Sequence, residues 1–344
     1  MKKAIIGTGA AILGAGALYF GVGNFFYKQL LSRKTAAGGM NGMADADVLA
    51  GKPGEKKPSI MQRLLEFALG ASSGDFYDLP HFPMFQAGAK WFFDQNPEKV
   101  TTYSPRGERL HADVIKAEQP SNVWVVSVHG FTSCPRDMGG CAKAFHDWGY
   151  NTLLPHLCAH NDSEAKYVSM GWHDRIDILA WIDYLNREYN NPTIILHGIS
   201  MGSATVMMAT GEALPPNVVC AISDCGYSSV WDEYAHQCKT TLKLPVFPFL
   251  NAVDTVVRLR SGFGLKEASS VEQLKKSKTP TLFIHGEADD FVPFWMLDKV
   301  YEAAACEKEM ITFSGAGHGE SAYRPEAYFG AVKGFVERYL EETQ

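Results

Sequence analysis

The chain has 344 residues and is 46% hydrophobic, 20% charged and 12% aromatic. This is a globular composition, long enough to bury about three quarters of its unfolded surface, so wholesale disorder, collagen-like repeats and a small disulfide-stapled scaffold are excluded. A formal net charge of −6 provides no basic field, so nucleic acid is not an expected partner.

Residues Ala4 to Tyr27 carry no charged side chain; Lys2 and Lys3 precede them, and Lys28, Arg33 and Lys34 follow. The run is long enough for a membrane-spanning helix. Tyr19, Phe20, Phe25, Phe26 and Tyr27 cluster at its far end, where an interfacial aromatic belt would lie. A retained signal anchor over 1–34 is expected. The alternative is a signal peptide cleaved at Ala15-Gly16-Ala17, which the continuing apolar run disfavours. No cysteine precedes Cys134, so a lipoprotein cleavage site is lacking. Flanking positive charge is nearly balanced and does not fix orientation. The expected arrangement is membrane attachment through this segment with the folded region outside the cytoplasm; secretion after cleavage and a cytoplasm-facing region are the alternatives. Gly38 to Pro58 reads as a flexible tether, which gives a linker over 35–59 and a folded domain over 60–344.

Farther along, Thr101 to Ala117 has a turn at Pro105-Arg106-Gly107 between extended stretches, the pattern of an antiparallel edge hairpin. Continuous apolar runs follow at Val123–Val128, Thr193–Leu196, Val218–Ile222, Thr281–Ile284 and Met310–Phe313. Short apolar runs bounded by glycine are what buried parallel strands look like. Between them, Ile178, Trp181, Ile182 and Leu185 recur at helical spacing. Leu297, Val300, Tyr301 and Ala304 do the same, as do Val332, Phe335, Val336 and Tyr339. Each set forms one apolar stripe suited to cover a sheet face. The fold class is therefore α/β, with a mostly parallel central sheet flanked by helices. The stretch from Tyr227 to about Lys278 breaks the rhythm and reads as a cap inserted at about 227–278, or else as a long irregular connection with packed aromatics. The seven cysteines, at 134, 141, 158, 220, 225, 238 and 306, have neither disulfide-framework nor zinc-site spacing and read mostly as buried free thiols.

The chemistry is carried by Gly198-Ile199-Ser200-Met201-Gly202. This G-x-S-x-G follows a predicted strand and precedes a predicted helix, the setting in which a sharp turn lifts a serine hydroxyl above the sheet. At a helix N-terminus, free N–H groups and the helix dipole favour developing negative charge. A serine hydroxyl needs a base, and the base needs a carboxylate to orient it. The expected chain order is serine, acid, histidine. The acid falls in His285-Gly286-Glu287-Ala288-Asp289-Asp290-Phe291-Val292-Pro293, after a strand, with Pro293 expected to open the next helix. The base is His318 in Gly315-Ala316-Gly317-His318-Gly319. Oxyanion donors are expected from the backbone N–H of Met201 and from the loop His129-Gly130-Phe131-Thr132, with the N–H of Phe131 as candidate.

These pieces resemble the α/β-hydrolase superfamily over about residues 100–340. Within it they are similar to bacterial single-pass or exported hydrolases related to the serine-aminopeptidase and monoacylglycerol-lipase-like group. The resemblance rests on HGFTS at 129–133, on Met170-Gly171-Trp172-His173-Asp174-Arg175, and on GISMG, HGEADDFVP and GAGHG. It implies an α/β-hydrolase fold and a catalytic acid at Asp289, with Asp290 as runner-up. It also implies hydrolysis of an ester, thioester or amide through an acyl-enzyme, without metal or organic cofactor. One departure is visible. The family often has an R-x-x-G-x-S-like turn after the strand that follows HGF; here the segment is 155–163, and the arginine position reads Cys158 and the glycine position Asn161. His156, His160 and His173 lie nearby, but the first two have metal-ligand spacing only on a helix, and their segment reads as a strand exit.

Together these features predict a serine hydrolase acting on small or medium carboxylic esters. The aromatics Trp231, Tyr234, Phe247 and Phe249 in the cap favour an apolar acyl or alcohol group. A peptidase or thioesterase, acyl transfer to an alcohol, and a membrane-tethered non-catalytic binding protein are the alternatives.

Overall fold

In the computed structural model, residues 2–33 and 81–341 are described, with side chains from residue 16 onward in the first stretch. The linker at 35–59 and the expected domain start at 60 lie outside the described residues. Eight strands form one sheet: β1 (Glu98–Tyr103), β2 (Arg109–Ile115), β3 (Val123–Val128), β4 (Asn151–Pro155), β5 (Thr193–Ile199), β6 (Val218–Asp224), β7 (Thr281–Gly286) and β8 (Lys308–Phe313). Their spatial order is β1-β2-β4-β3-β5-β6-β7-β8. The β1–β2 and β2–β4 pairs are antiparallel; the others are parallel. The hairpin expected at 101–117 is therefore the sheet edge.

Alternation along the central strands divides the core in two. Trp124, Val126, Val128, Ile194 and Leu196 face one cluster, while Val125 and Ile195 face the other. Successive side chains in a strand point to opposite faces, so a continuous apolar run needs cover on both. Between strands lie α3 (Gly139–Asp147), α4 (Asp174–Glu188), α5 (Met201–Thr210), α9 (Trp295–Ala303) and, at the end, α10 (Pro325–Glu341). Ile178, Trp181, Ile182 and Leu185 of α4 cover the first face, with Leu297 and Val300 of α9. Phe145 of α3 and Val332, Phe335, Val336 and Tyr339 of α10 cover the second. The helix after Asp289 opens at Trp295, two residues beyond the expected start at Pro293, because residues 290–294 continue as turn.

The stretch at 227–278 holds three helices, α6 (Val230–Thr240), α7 (Val246–Ser261) and α8 (Ser270–Leu274). Ser229 and Ser269 explain two of the starts: each side-chain oxygen accepts the backbone N–H of the third residue on, from Asp232 and Glu272, the usual serine cap.

Two further helices lie on this body. A helix that the sequence patterns did not suggest, α2 (Phe82–Asp94), buries Phe82, Phe85, Ala89 and Phe92. It rests on α3 where Gly88 meets Gly139; a Cβ on Gly139 would lie 2.2 Å from the Gly88 carbonyl oxygen. The N-terminal helix α1 (Lys2–Leu30) packs its described half on α7. Tyr19 bonds Thr255 at 3.1 Å and Tyr27 bonds Ser261 at 3.0 Å. Phe26 meets Phe249 edge-on at 4.3 Å. Leu31 is fully buried, and the Arg33 guanidinium donates to the carbonyls of Asn161, Ser163 and Ala165. Three of the five aromatics expected in a membrane belt thus contact protein, while Phe20 and Phe25 are exposed. Among the described residues, no helix is long and apolar enough to cross a membrane.

Candidate active site

Ser200 sits between β5 and α5 with φ 58° and ψ −121°. A positive φ is costly for a residue with a side chain and persists where surrounding packing fixes it. Here the packing leaves no slack. A Cβ on Gly198 would lie 2.3 Å from the Gly202 carbonyl oxygen, and one on Gly202 would lie 2.0 Å from that of Val128. Strand β3, the turn and α5 are in backbone contact, which forces the chain to reverse at Ser200.

His318 Nε2 lies 2.8 Å from Ser200 Oγ, and its Nδ1 lies 2.8 Å from Asp289 Oδ2. The other carboxylate oxygen of Asp289 accepts the backbone N–H groups of Phe291 and Val292 at 3.0 and 2.9 Å. Burial alone would raise the Asp289 pKa; the opposing His318 charge and the bonds from His285 and His318 win and hold it at about 2. A carboxylate that stays ionised can fix the imidazole tautomer and stabilise an imidazolium. Asp290 is exposed, and its backbone carbonyl accepts from His236 of the cap at 2.8 Å. It takes no part in this chain of bonds. The loop carrying His318 is braced from α2: His81 stacks on Tyr323 at 4.2 Å and lies 3.6 Å from Glu320. Glu320 in turn accepts the Gly317 N–H at 2.7 Å.

Gly130 approaches Ser200 so closely that a Cβ there would be 3.4 Å from the serine Cβ. The expected oxyanion donors therefore lie on the two segments flanking Ser200: Phe131 follows Gly130, and Met201 opens α5, where the first N–H groups have no intrahelical partner. Two buried histidines hold the Phe131 loop. His129 Nε2 accepts the Leu157 N–H at 3.3 Å, and His160 Nε2 accepts the Thr132 N–H at 3.1 Å. Burial pushes His129 well below its ordinary pKa and His160 down to about 4, so both rings stay neutral and can accept. His156 bonds Asp113 at 3.0 Å and accepts the Asp162 N–H. His173 bonds the Ser261 carbonyl at 3.1 Å.

The departure at Cys158 and Asn161 has a structural explanation. The guanidinium of Arg106, from the turn of the edge hairpin, lies 3.3 Å from Cys158 Sγ and 3.1 Å from Asp177. Arginine chemistry reaches this place from another element. Asn161 has φ 44°, and asparagine is among the few non-glycine residues that adopt this region readily. All seven cysteines are free, six of them buried.

Ser200 opens into a pocket lined by Leu30 of α1, Phe131, Tyr234, Phe249, Val253 and Val292, among others. The wall is almost wholly apolar. Glu233 and Gln237 of α6 interrupt it. Neither residue stands out in the sequence, because a glutamate and a glutamine four apart on a polar helix read as a solvated face. Their burial comes from the cap pressing on the loop after β7.

A mostly parallel sheet, a serine on the turn after β5, and an aspartate and a histidine delivered by the ends of β7 and β8 define an α/β-hydrolase. Comparison with known proteins narrows this. The sequence model of the prolyl oligopeptidase family matches residues 144–343, more than half of the chain, so the chain belongs to that family and is a serine hydrolase of the α/β fold. It is 25% identical over 222 residues to the uncharacterized protein YqkD of Bacillus subtilis strain 168, covering 64% of this chain and 73% of that one. Among solved structures, it resembles the esterase Pf2001 of Pyrococcus furiosus with TM-score 0.60 and 21% identity, over 72% of this chain and 93% of that one. It also resembles an acylaminoacyl peptidase of Pyrococcus horikoshii with TM-score 0.53 and 19% identity, over 71% of this chain and 41% of that one. At these identities the structural likeness carries the fold alone.

Proposed function

We propose that the chain hydrolyses carboxylic esters through an acyl-enzyme on Ser200. The observation that carries this reading is the unbroken bond series Ser200–His318–Asp289, with both links at 2.8 Å, ending at a serine that opens on an apolar pocket. In the proposed sequence His318 takes the hydroxyl proton as Ser200 Oγ attacks the substrate carbonyl carbon. The N–H groups of Phe131 and Met201 donate to the tetrahedral oxyanion. His318 then passes its proton to the departing alcohol, and Asp289 stabilises the imidazolium throughout. Water, deprotonated by His318, attacks the acyl carbon, and the acid leaves as the serine is reprotonated.

The wall beside Ser200 favours a small or medium apolar group and has few groups to satisfy a peptide backbone, which supports an ester over a peptide. Family membership is the observation that favours the second reading, a peptidase of the same mechanism. A panel of p-nitrophenyl esters of increasing chain length, run beside peptide p-nitroanilides and scored by kcat/KM, decides between them. We expect ester turnover and fluorophosphonate labelling, both lost in Ser200→Ala. Retained activity in that variant overturns the nucleophile, and a peptide preference overturns the ester reading.

The charge-free run Ala4 to Tyr27 supports attachment to a membrane through the N-terminal segment, with the folded region outside the cytoplasm. Protease added to intact cells should then digest the C-terminal region; full protection overturns this placement.

A further inference from the structure

Helix α6 of the cap turns Glu233, Tyr234 and Gln237 toward the pocket beside Ser200. Gln237 is fully engaged. Its Nε2 donates to Glu233 Oε1 at 3.0 Å and to the Phe291 carbonyl at 2.9 Å, and its Oε1 accepts the Thr241 hydroxyl at 2.7 Å. Glu233 is thereby locked in one orientation, tied to the loop that carries Asp289. Its second oxygen, Oε2, is buried without a hydrogen-bond partner, and so is the hydroxyl of the neighbouring Tyr234. The two residues are only 3% and 8% exposed. A buried polar atom left unpaired is costly. Two such atoms on adjacent residues in the wall of one otherwise apolar pocket mark a place where a polar ligand group fits.

We propose that Glu233 and Tyr234 form a polar subsite that hydrogen-bonds a neutral oxygen, as keto, ether or hydroxyl, carried along the substrate chain that enters this pocket. The preferred group is then an oxygenated chain rather than a plain hydrocarbon one. This deepens the reading of Ser200 as nucleophile and rests on it. Charge decides for a neutral partner. Glu233 faces the Asp289 carboxylate from the loop after β7, the Tyr227 phenol beyond β6, and Tyr234 on its own helix, which in turn faces Cys238. No lysine or arginine is among the described residues lining the pocket. Burial pushes Glu233 up to about 8, against the Gln237 bond and with help from Asp289. Near neutral pH the carboxyl is protonated, with Oε1 accepting from Gln237, so Oε2 is a donor without an acceptor. The Tyr234 hydroxyl is a second one.

The test uses the full-length chain and a series of alkyl fluorophosphonates: one with a plain six-carbon chain, the others with a single methylene replaced by a ketone carbonyl at successive positions. Ser200 Oγ attacks phosphorus and fluoride leaves, so labelling reads the pocket without requiring ester turnover. The quantity is the ratio of labelling rates, keto over plain, in which the common titration of His318 cancels. We expect one keto position to label about tenfold faster than the plain chain at pH 6.5. The advantage should fade as pH rises through about 8, where Glu233 loses its proton. Glu233→Gln keeps a donor at the same place, so it should retain the advantage and make it independent of pH. Glu233→Leu should lose it. The subsite is overturned by a wild type that favours no keto position, by a Glu233→Gln variant that keeps the wild-type pH dependence, or by an advantage that survives in Glu233→Leu. A further probe with an ammonium group on the chain is run beside the series; if it labels faster than every keto chain, Glu233 is a charge partner and the subsite is overturned. Position-dependent labelling without hydrolysis of any p-nitrophenyl ester would leave the subsite standing and remove the ester reading alone.

Discussion

Two neighbouring aspartates on the loop after β7 meet different surroundings, and the difference decides which one can serve His318. Asp289 is buried, accepts from His318 and from two backbone N–H groups, and is held at about 2. Asp290 is exposed and contributes only its carbonyl, to the cap. Asp289→Asn should therefore lower kcat by about 10³–10⁴, while Asp290→Asn should change it by no more than about twofold; steady-state kinetics on one ester settles the pair. Glu233 gives a prediction of opposite sign. Its folded pKa is raised from 4.5 to about 8, so the unfolded chain gives up this proton first as pH rises. Stability is lost between roughly pH 4.5 and 8 and levels off above. Glutamine cannot ionise, so the Tm of Glu233→Gln should gain on wild type across that window and hold its lead beyond it, as thermal scans in a pH series would show. A Tm difference that does not vary with pH would count against a buried, protonated Glu233. Ser200, His318 and the acid segment were legible because each follows an apolar strand in a fixed order. The choice of Asp289 rested on resemblance, and Glu233 was not visible at all: its chemistry arises from Gln237 of the cap meeting a loop 54 positions away at Phe291.

At the scale of elements, the strands and the helices flanking them were readable from periodicity, since burial on both faces or on one leaves an unambiguous pattern. What periodicity could not supply was the partner of an isolated helix. The Phe82, Phe85, Ala89 and Phe92 spacing of α2 fits a helical stripe that the sequence reading did not pick out, and nothing local indicates that its N-terminal end braces the His318 loop. For α1, a run without charge reads as a membrane segment, whereas its described half has a protein partner in α7. That contact depends on Gly23, where a Cβ would lie 2.3 Å from the Ala252 carbonyl oxygen, a backbone atom that cannot step aside. Gly23→Val should cost about 1–3 kcal/mol, seen as a lower Tm. Because Leu30 lines the pocket, the same change should raise the ratio of long-chain to short-chain ester turnover. Gly21→Val is the control: no atom lies within 4 Å of a Cβ there, and Tm should not fall. A Gly23→Val protein as stable and as selective as wild type would mean that α1 does not shape the pocket.

For the molecule as a whole, one sheet with a core on each face leaves its parallel strand ends to carry chemistry, and the cap closes over them. Alternation of strands and helices announced that plan, and the hairpin at 101–117 marked its edge. The return of the opening segment onto the folded body could not be read, because contacts between residues more than a hundred positions apart leave no periodic trace. Tyr19 reaches Thr255, Tyr27 reaches Ser261, and Arg33 clasps three carbonyls between 161 and 165. The opening segment therefore behaves toward the rest as a bound peptide toward its receptor. Covalent continuity through 34–80 is then not what holds it in place. A protease site engineered into that stretch and cut should yield two fragments that elute together and still hydrolyse ester. The fragment from 81 onward, made alone, should regain its pocket wall when a peptide of residues 16–33 is added, a complementation readable as restored chain-length selectivity.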